Sequence, residues 1–149
     1  MTLHADRGLQ LRSVALPGIL VGAAALYAVF IARTAFRVAG ITYFTLVDDA
    51  MVSMRYAQHL AQGFGLVWNV GHPPVEGFTN PAWMLIMSLL HLLPIPAARV
   101  SLAVMVVAAL LLLTNVVVVH RIASLLRPEL AATPLLAAGL AAFCAAAAA

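Results

Sequence analysis

The sequence predicts an all-α integral membrane protein with about four transmembrane helices. Hydrophobic residues make up 64% of the 149 residues and charged residues only 9%. A soluble domain is about half apolar and about a quarter charged. The apolar residues also occur in long runs without charge, and runs of about 20 such residues are typical of membrane-spanning helices.

The charged residues limit the classes of partner. All eight basic residues are Arg, and the formal net charge is +3. A small positive excess suits contact with anionic lipid headgroups. The sequence contains no basic patch with interleaved aromatic residues, which argues against a nucleic-acid partner. The single cysteine, Cys144, cannot form an internal disulfide.

The first predicted elements are a polar tail and a transmembrane helix. Residues 1–13 are polar and are predicted to form a disordered or interfacial tail on the cytoplasmic side. The run 14–32 has 19 residues without charge, and we place the first span at about 14–36. A cleaved signal peptide is the alternative, although its apolar region is normally about 7–15 residues long.

Residues 37–80 follow as a predicted extracytoplasmic loop. Asp48 to Gln62 has the spacing of a short amphipathic juxtamembrane helix, with one face formed by Ala50, Met54, Ala57 and Ala61. Asp48, Val52, Arg55 and His59 form a neighbouring stripe. Thr45 and Asp48 have the spacing of a capping box. Gly63 and Gly65 are predicted to end the helix, and the residues after them predict an irregular segment with several turns.

Three further spans are predicted after the loop, at about 78–95, 100–119 and 130–149. Pro81 is tolerated in a first helical turn, whereas Pro94 and Pro96 are predicted to end or kink the helix, so the span over 78–95 is marginal. The last run stops within apolar sequence. We therefore expect a fragment, the N-terminal part of a transmembrane domain that occupies residues 14–149.

The distribution of arginines between the predicted loops also bears on the orientation of the protein in the membrane. With the N-terminus in the cytoplasm, the inside segments hold three arginines (Arg7, Arg12, Arg99) and the outside segments hold five (Arg33, Arg37, Arg55, Arg121, Arg127). The positive-inside rule therefore leans against the orientation that we expect, which is a multi-pass protein of the plasma membrane with the loop outside.

The loop sequence is distinctive. The stretch DDAMVSMRYAQHLAQGFGLVWNVGHPPVEGFTNPAW combines an Asp-Asp pair, RYA, a glycine-bounded turn, V-x-N-x-G and VEGFTNPxW in order. It resembles the first extracytoplasmic loop of GT-C type polytopic membrane glycosyltransferases. The resemblance is strongest to the actinobacterial arabinofuranosyltransferase-like group, which adds terminal β-arabinofuranosyl residues to cell-wall polysaccharides. It covers about 37 residues and implies a fold several times longer than this chain.

The resemblance implies a polyprenyl-phosphate sugar as donor and a glycan hydroxyl as acceptor, with a loop carboxylate as general base. The chemistry of the residues agrees, because a sugar hydroxyl is a poor nucleophile until a positioned carboxylate takes its proton. We expect Asp48 or Asp49 to be that base, Asp48 being preferred. The alternative is that both carboxylates only complement the helix N-terminus.

Six further residues are predicted to line the site. Arg55 would contact the donor phosphate, or would form an ion pair with Asp48. A divalent cation is another means of stabilising the leaving phosphate, with Asp49 and Glu76 as its ligands; Glu76 could also contact the acceptor or pair with Arg55. The predicted substrate-binding residues are Arg55, Tyr56, His59, Glu76, Asn80 and Trp83. Structural alternatives are a hydrogen bond within the fold for His59, a helix cap for Asn80 and a membrane-interface position for Trp83.

Two other functions are compatible with the sequence. One is a non-catalytic membrane protein, such as a transporter subunit or scaffold, whose loop is only a folded cap. A cap has no need of clustered Asp, Arg, Glu and His, and a transporter would place charges within its spans. The other is an inactive truncated gene product.

Overall fold

The computed structural model describes residues 3–75, 77–126 and 132–147. Glu76 lies outside the described residues, so the roles predicted for it stay predictions. Within the described residues the chain forms five helices and one two-stranded sheet. The elements are α1 (Leu3–Arg33), β1 (Ala35–Val38), β2 (Ile41–Phe44), α2 (Asp48–Ala61), α3 (Pro81–His91), α4 (Ala97–Leu126) and α5 (Ala132–Ala147).

Two of these helices are long and apolar enough to cross a membrane. They are Ala15–Arg33, with a mean hydropathy of 2.2, and Ala97–Leu126, with a mean hydropathy of 2.9. Only 11% and 17% of their apolar windows are buried within the protein. Large apolar side chains such as Val21, 70% exposed, therefore face outward. Their exposure is energetically unfavourable in water but not in lipid.

The other two predicted spans correspond to shorter helices. α3 has 11 residues, which rise about 16 Å, roughly half the thickness of a hydrocarbon core. It does not by itself fill the span predicted over 78–95. α5 has 16 residues. A count of four spans therefore stays a prediction.

The N-terminal region differs from the expectation in two ways. α1 already begins at Leu3, so the tail, predicted to be disordered or interfacial, is helical from that residue. The helix ends at Arg33 rather than near residue 36, because the chain turns there into β1.

The hairpin of β1 and β2 was not predicted. Its strands pair antiparallel, with Ala35 opposite Phe44 and Val38 opposite Ile41. The two residues at the tip, Ala39 and Gly40, have positive φ angles of 50° and 80°. This is the backbone of the tight two-residue turns that match the twist of a hairpin.

The bounds of α2 were predicted within one residue, but the capping of its N-terminus was not. The helix begins at Asp48 with Val47 as N-cap, and no side chain caps it. The predicted capping box is wrong, because the Thr45 hydroxyl donates to the Leu46 carbonyl, at 3.3 Å, instead of reaching into the first turn. The orphan N–H groups of that turn are therefore left to solvent.

α2 ends where the glycines in the sequence predict that it ends. Gly63 has a φ of 83°, and its N–H donates to the Leu60 carbonyl, while the Phe64 N–H donates to the His59 carbonyl. This pair of bonds is the Schellman arrangement, which needs a left-handed residue such as glycine after the helix. The prediction that glycine ends α2 is confirmed.

The residues form two compact units. One comprises Met1–Ala32 with Val107–Ala149 and has a small core of Ala23, Tyr27, Val116, Ala138 and Ala142. The other comprises Arg33–Val106, and in it α2 packs on α3 and on the first part of α4. Its core is Tyr56, Ala57, Met84, Met87, Val100 and Val104. This second unit contains all the predicted site residues.

Candidate functional site

The two predicted catalytic carboxylates lie at the N-terminus of α2. Asp48 and Asp49 are the first two residues of the helix, and both are exposed. No described residue provides a hydrogen-bond or ion-pair partner for either carboxylate. A negative charge at this position interacts favourably with the helix dipole. Adjacent side chains diverge by about 100° around a helix, so the two carboxylates face different directions.

The irregular segment 62–80 is held to α2 by side chains of the helix. Such a segment lacks the regular backbone pairing of a helix or sheet, so its carbonyl groups need other donors. Three α2 residues supply them at positions i, i+1 and i+4, namely Arg55, Tyr56 and His59. One side of α2 thus serves to fix the loop.

Arg55 forms the most extensive of these anchors. Its Nε donates to the Trp68 carbonyl at 2.8 Å, and its Nη2 donates to Asn69 Oδ1 at 2.9 Å. The guanidinium also lies over the Trp68 ring, 4.5 Å from the centroid, which adds a cation–π contact. Among the described residues Arg55 forms no ion pair with Asp48, so that predicted alternative is wrong.

Tyr56 is the buried centre of the loop attachment. It is only 1% exposed, and its hydroxyl donates to the Val75 carbonyl at 2.6 Å. Its ring lies against Trp68 and, edge-on at 5.1 Å, against Phe78. The position predicted for substrate binding is therefore a core position that ties both ends of the segment to α2.

Gly77 packs directly against this tyrosine. A Cβ atom added at Gly77 would lie 2.7 Å from the Tyr56 hydroxyl oxygen and 3.0 Å from ring atom Cε2. The tyrosine cannot move away easily, because it is buried and hydrogen-bonded. Glycine at position 77 is thus required for the chain to pass over Tyr56.

His59 closes the first turn of the segment. Its Nδ1 lies 2.7 Å from the Val67 carbonyl, and since a carbonyl only accepts, this nitrogen carries the hydrogen. The ring also contacts Phe64 edge-on. The predicted structural alternative, a hydrogen bond within the fold, is confirmed for His59.

Asn80 and Trp83 lie where the segment enters α3. Asn80 occupies the N-cap position, but no side-chain hydrogen bond caps the helix; its backbone carbonyl accepts from the Met84 N–H. Asn80 is therefore at the predicted cap position, but its side chain does not cap α3. Pro81 opens the helix as expected. Trp83 is half-buried and packs against the core of its unit.

A metal site would need more ligands than the described residues bring together. No group of three His, Cys, Asp or Glu side chains in the described part of the chain is arranged to hold a metal ion. Asp49 contributes one exposed carboxylate, and its predicted partner Glu76 is outside the description.

Sequence reasoning did not identify Trp68, Asn69 and Gly77 as parts of the loop attachment. The available signal was the spacing of Arg, Tyr and His on one side of a helix that is followed by an irregular segment. Polar side chains at i, i+1 and i+4 next to unpaired backbone are well placed to bond that backbone. They were interpreted instead as ligands for a substrate.

Exchange of Arg55 for Ala is expected to loosen the segment around Trp68 and Asn69. Charge-assisted hydrogen bonds contribute about 1.5–3 kcal/mol each when sheltered, and less at this exposed site. We therefore expect the protection of amides 67–70 from hydrogen exchange to fall about tenfold, a local loss of about 1.4 kcal/mol. Hydrogen exchange read by mass spectrometry measures this.

Two further variants separate the donor geometry of the Arg55 guanidinium from its charge. Arg55→Lys keeps the charge but lacks the two-pronged donor geometry, so it should lose most of the protection as well. Gln58→Ala, at an exposed position of the same helix, should lose none. Full protection in Arg55→Lys would show that the geometry of the guanidinium does not hold the loop.

No family model matches the chain, and neither a curated protein nor a solved structure shows significant similarity to it.

Proposed function

We propose that this chain is the N-terminal part of a membrane glycosyltransferase. It would move a sugar, arabinofuranose by resemblance, from a polyprenyl-phosphate donor to a hydroxyl of a cell-envelope glycan. The observation that carries the proposal is the pair of exposed carboxylates at the start of α2. Neither carboxylate forms a hydrogen bond or an ion pair with a described residue. The loop behind them is fixed in place, as a positioned base requires.

In the proposed reaction the acceptor hydroxyl oxygen attacks the anomeric carbon of the donor. The bond between that carbon and the phosphate oxygen breaks, the lipid phosphate leaves with the electron pair, and Asp48 or Asp49 takes the hydroxyl proton. A single displacement inverts the anomeric configuration. One carboxylate acts as base, while the other stabilises the helix start.

Arg55 retains capacity to help the leaving group. A guanidinium has five N–H donors, and two of them serve the loop, so three remain on an exposed side chain. The same residue would then hold the loop and present positive charge to a lipid phosphate. In this proposal α1 and α4 cross the plasma membrane, and the loop faces outward, where lipid donor and glycan acceptor meet.

A non-catalytic membrane protein is the second candidate. It is favoured by one observation, which is that Arg55, Tyr56 and His59 all bond the chain's own loop. A folded cap needs only such contacts. In such a cap the two exposed carboxylates would serve only to stabilise the N-terminus of α2.

A transfer assay on the natural full-length protein, reconstituted in lipid, tests the proposal. The donors are synthetic polyprenyl-phosphate arabinofuranose and polyprenyl-phosphate mannose, and the acceptor is a short arabinan. We expect a one-residue extension from one donor, detected by mass spectrometry, with an inverted anomeric centre seen by NMR. Retention of configuration would refute the single displacement. A folded protein that extends no acceptor from either donor would favour the non-catalytic candidate.

A further inference from the structure

The hairpin Ala35–Phe44 has one apolar face. Cross-strand partners point to the same side of a sheet, so Phe36 with Tyr43 and Val38 with Ile41 share that face. The Phe36 and Tyr43 rings are stacked, with centroids 5.8 Å apart. Phe36, Val38 and Ile41 are 48%, 54% and 51% exposed. Four apolar side chains are thus gathered on a surface that the described part of the protein leaves largely open.

Water alone does not account for this arrangement. An isolated two-stranded hairpin is at best marginally stable in water, and its apolar face gains nothing from exposure. Something apolar that covers this face would stabilise the hairpin. The position and the charge of the hairpin indicate which partner covers this face.

In the sequence, the hairpin follows directly after a helix that is long and apolar enough to span a membrane. The apolar run Ala15–Arg33 ends two residues before β1 begins. The charged residues in 33–47 are Arg33 and Arg37, and no acidic residue occurs there. Arg37 pairs with Thr42, on the face opposite the apolar one. Aromatic rings, aliphatic side chains and arginines immediately after a span match the headgroup region of an anionic bilayer.

We propose that the hairpin binds the membrane surface, with Phe36, Val38, Ile41 and Tyr43 in the boundary between headgroups and acyl chains. Arg33 and Arg37 contact anionic headgroups, since a long arginine side chain can extend past an apolar face. The bound occupant is a lipid surface. This inference rests on the proposed membrane placement of α1 but is independent of any catalytic activity.

Spin labels on single cysteines test the inference in the full chain, reconstituted into vesicles of phosphatidylcholine with phosphatidylglycerol. The exposed native Cys144 is first replaced by Ala. The test label is at Val38→Cys, the matched control on the opposite hairpin face is at Thr42→Cys, and the lipid reference on α1 is at Val21→Cys. Collision with oxygen, which concentrates in lipid, is compared with collision with a water-soluble nickel chelate.

We expect the labels at positions 38 and 21 to favour oxygen and the label at position 42 to favour nickel. Nickel preference at 38 with oxygen preference at 21 would overturn the hairpin proposal and leave the span intact. Protection at 38 from both reagents would also overturn it, because a protein segment would then cover the face. Nickel preference at all three would refute the span as well.

The charge requirement gives a second readout. Arg37→Gln, combined with the label at position 38, should lower the ratio of oxygen to nickel collisions in vesicles that contain phosphatidylglycerol. The same substitution should have no effect in pure phosphatidylcholine. An equal decrease in both would contradict a contact between Arg37 and anionic headgroups.

Discussion

In the proposed glycosyltransferase reaction, exchange of Asp48 for Asn is expected to abolish sugar transfer. A positioned general base accelerates proton transfer by about 10²–10⁴-fold, and Asn cannot accept a proton from an attacking hydroxyl. Asp49→Asn is expected to retain partial activity, because its carboxylate points away from that of Asp48. The measurement is the rate of acceptor extension at saturating donor, for protein purified and reconstituted in parallel.

The control separates catalysis from helix stability. Each Asn variant loses one favourable interaction with the helix dipole, about 0.3–1 kcal/mol, so both should lower stability slightly and equally. Gln58→Ala removes an exposed polar side chain from the same helix and should leave turnover unchanged. If both Asp variants keep full turnover, the carboxylates serve only the helix and the loop-base mechanism is wrong.

Exchange of Tyr56 for Ala is expected to have the largest effect on stability. Loss of a fully buried aromatic side chain costs about 3–5 kcal/mol, a large fraction of the typical 5–15 kcal/mol that stabilises a domain. The ring packs against Trp68 and Phe78, and the hydroxyl binds Val75, so the whole segment should detach from α2. Denaturant unfolding in detergent and rapid amide exchange across 63–80 measure this.

Tyr56→Phe is the matched control for this prediction. It keeps the ring and removes only the hydrogen bond to the Val75 carbonyl, which is worth about 1 kcal/mol. We expect faster exchange confined to residues near Val75, with the rest of the segment protected. If Phe and Ala variants unfold alike, the hydroxyl rather than the ring packing holds the segment.

Local signals explain what the sequence could predict. The bounds of α2 follow from its apolar spacing and from Gly63, whose backbone conformation ends the helix. Pro81 likewise marks the start of α3. Each of these features depends on a few adjacent residues, so each can be recognised without knowledge of the fold. The long apolar runs of α1 and α4 are recognisable for the same reason.

Features that depend on distant residues were missed. Arg55 was interpreted as a ligand because its partners, Trp68 and Asn69, come into reach only when the segment folds back over α2. The hairpin has strands of only four residues with little burial, so its alternation of apolar and polar residues is too short to predict a strand from the sequence. Thr45 had the spacing of a cap, but the chain geometry assigned the N-cap position to Val47.

The close approach of Gly77 to Tyr56 has a consequence for the divergence of this sequence. Any larger residue at position 77 must meet the tyrosine hydroxyl at 2.7 Å, so mutation at either position changes what the other tolerates. A lineage that replaced Tyr56 by a smaller residue would release position 77 from the requirement for glycine. The two positions, 21 residues apart, should therefore vary together, and this coupling can identify remote relatives that share the folded loop when the rest of the sequence no longer does.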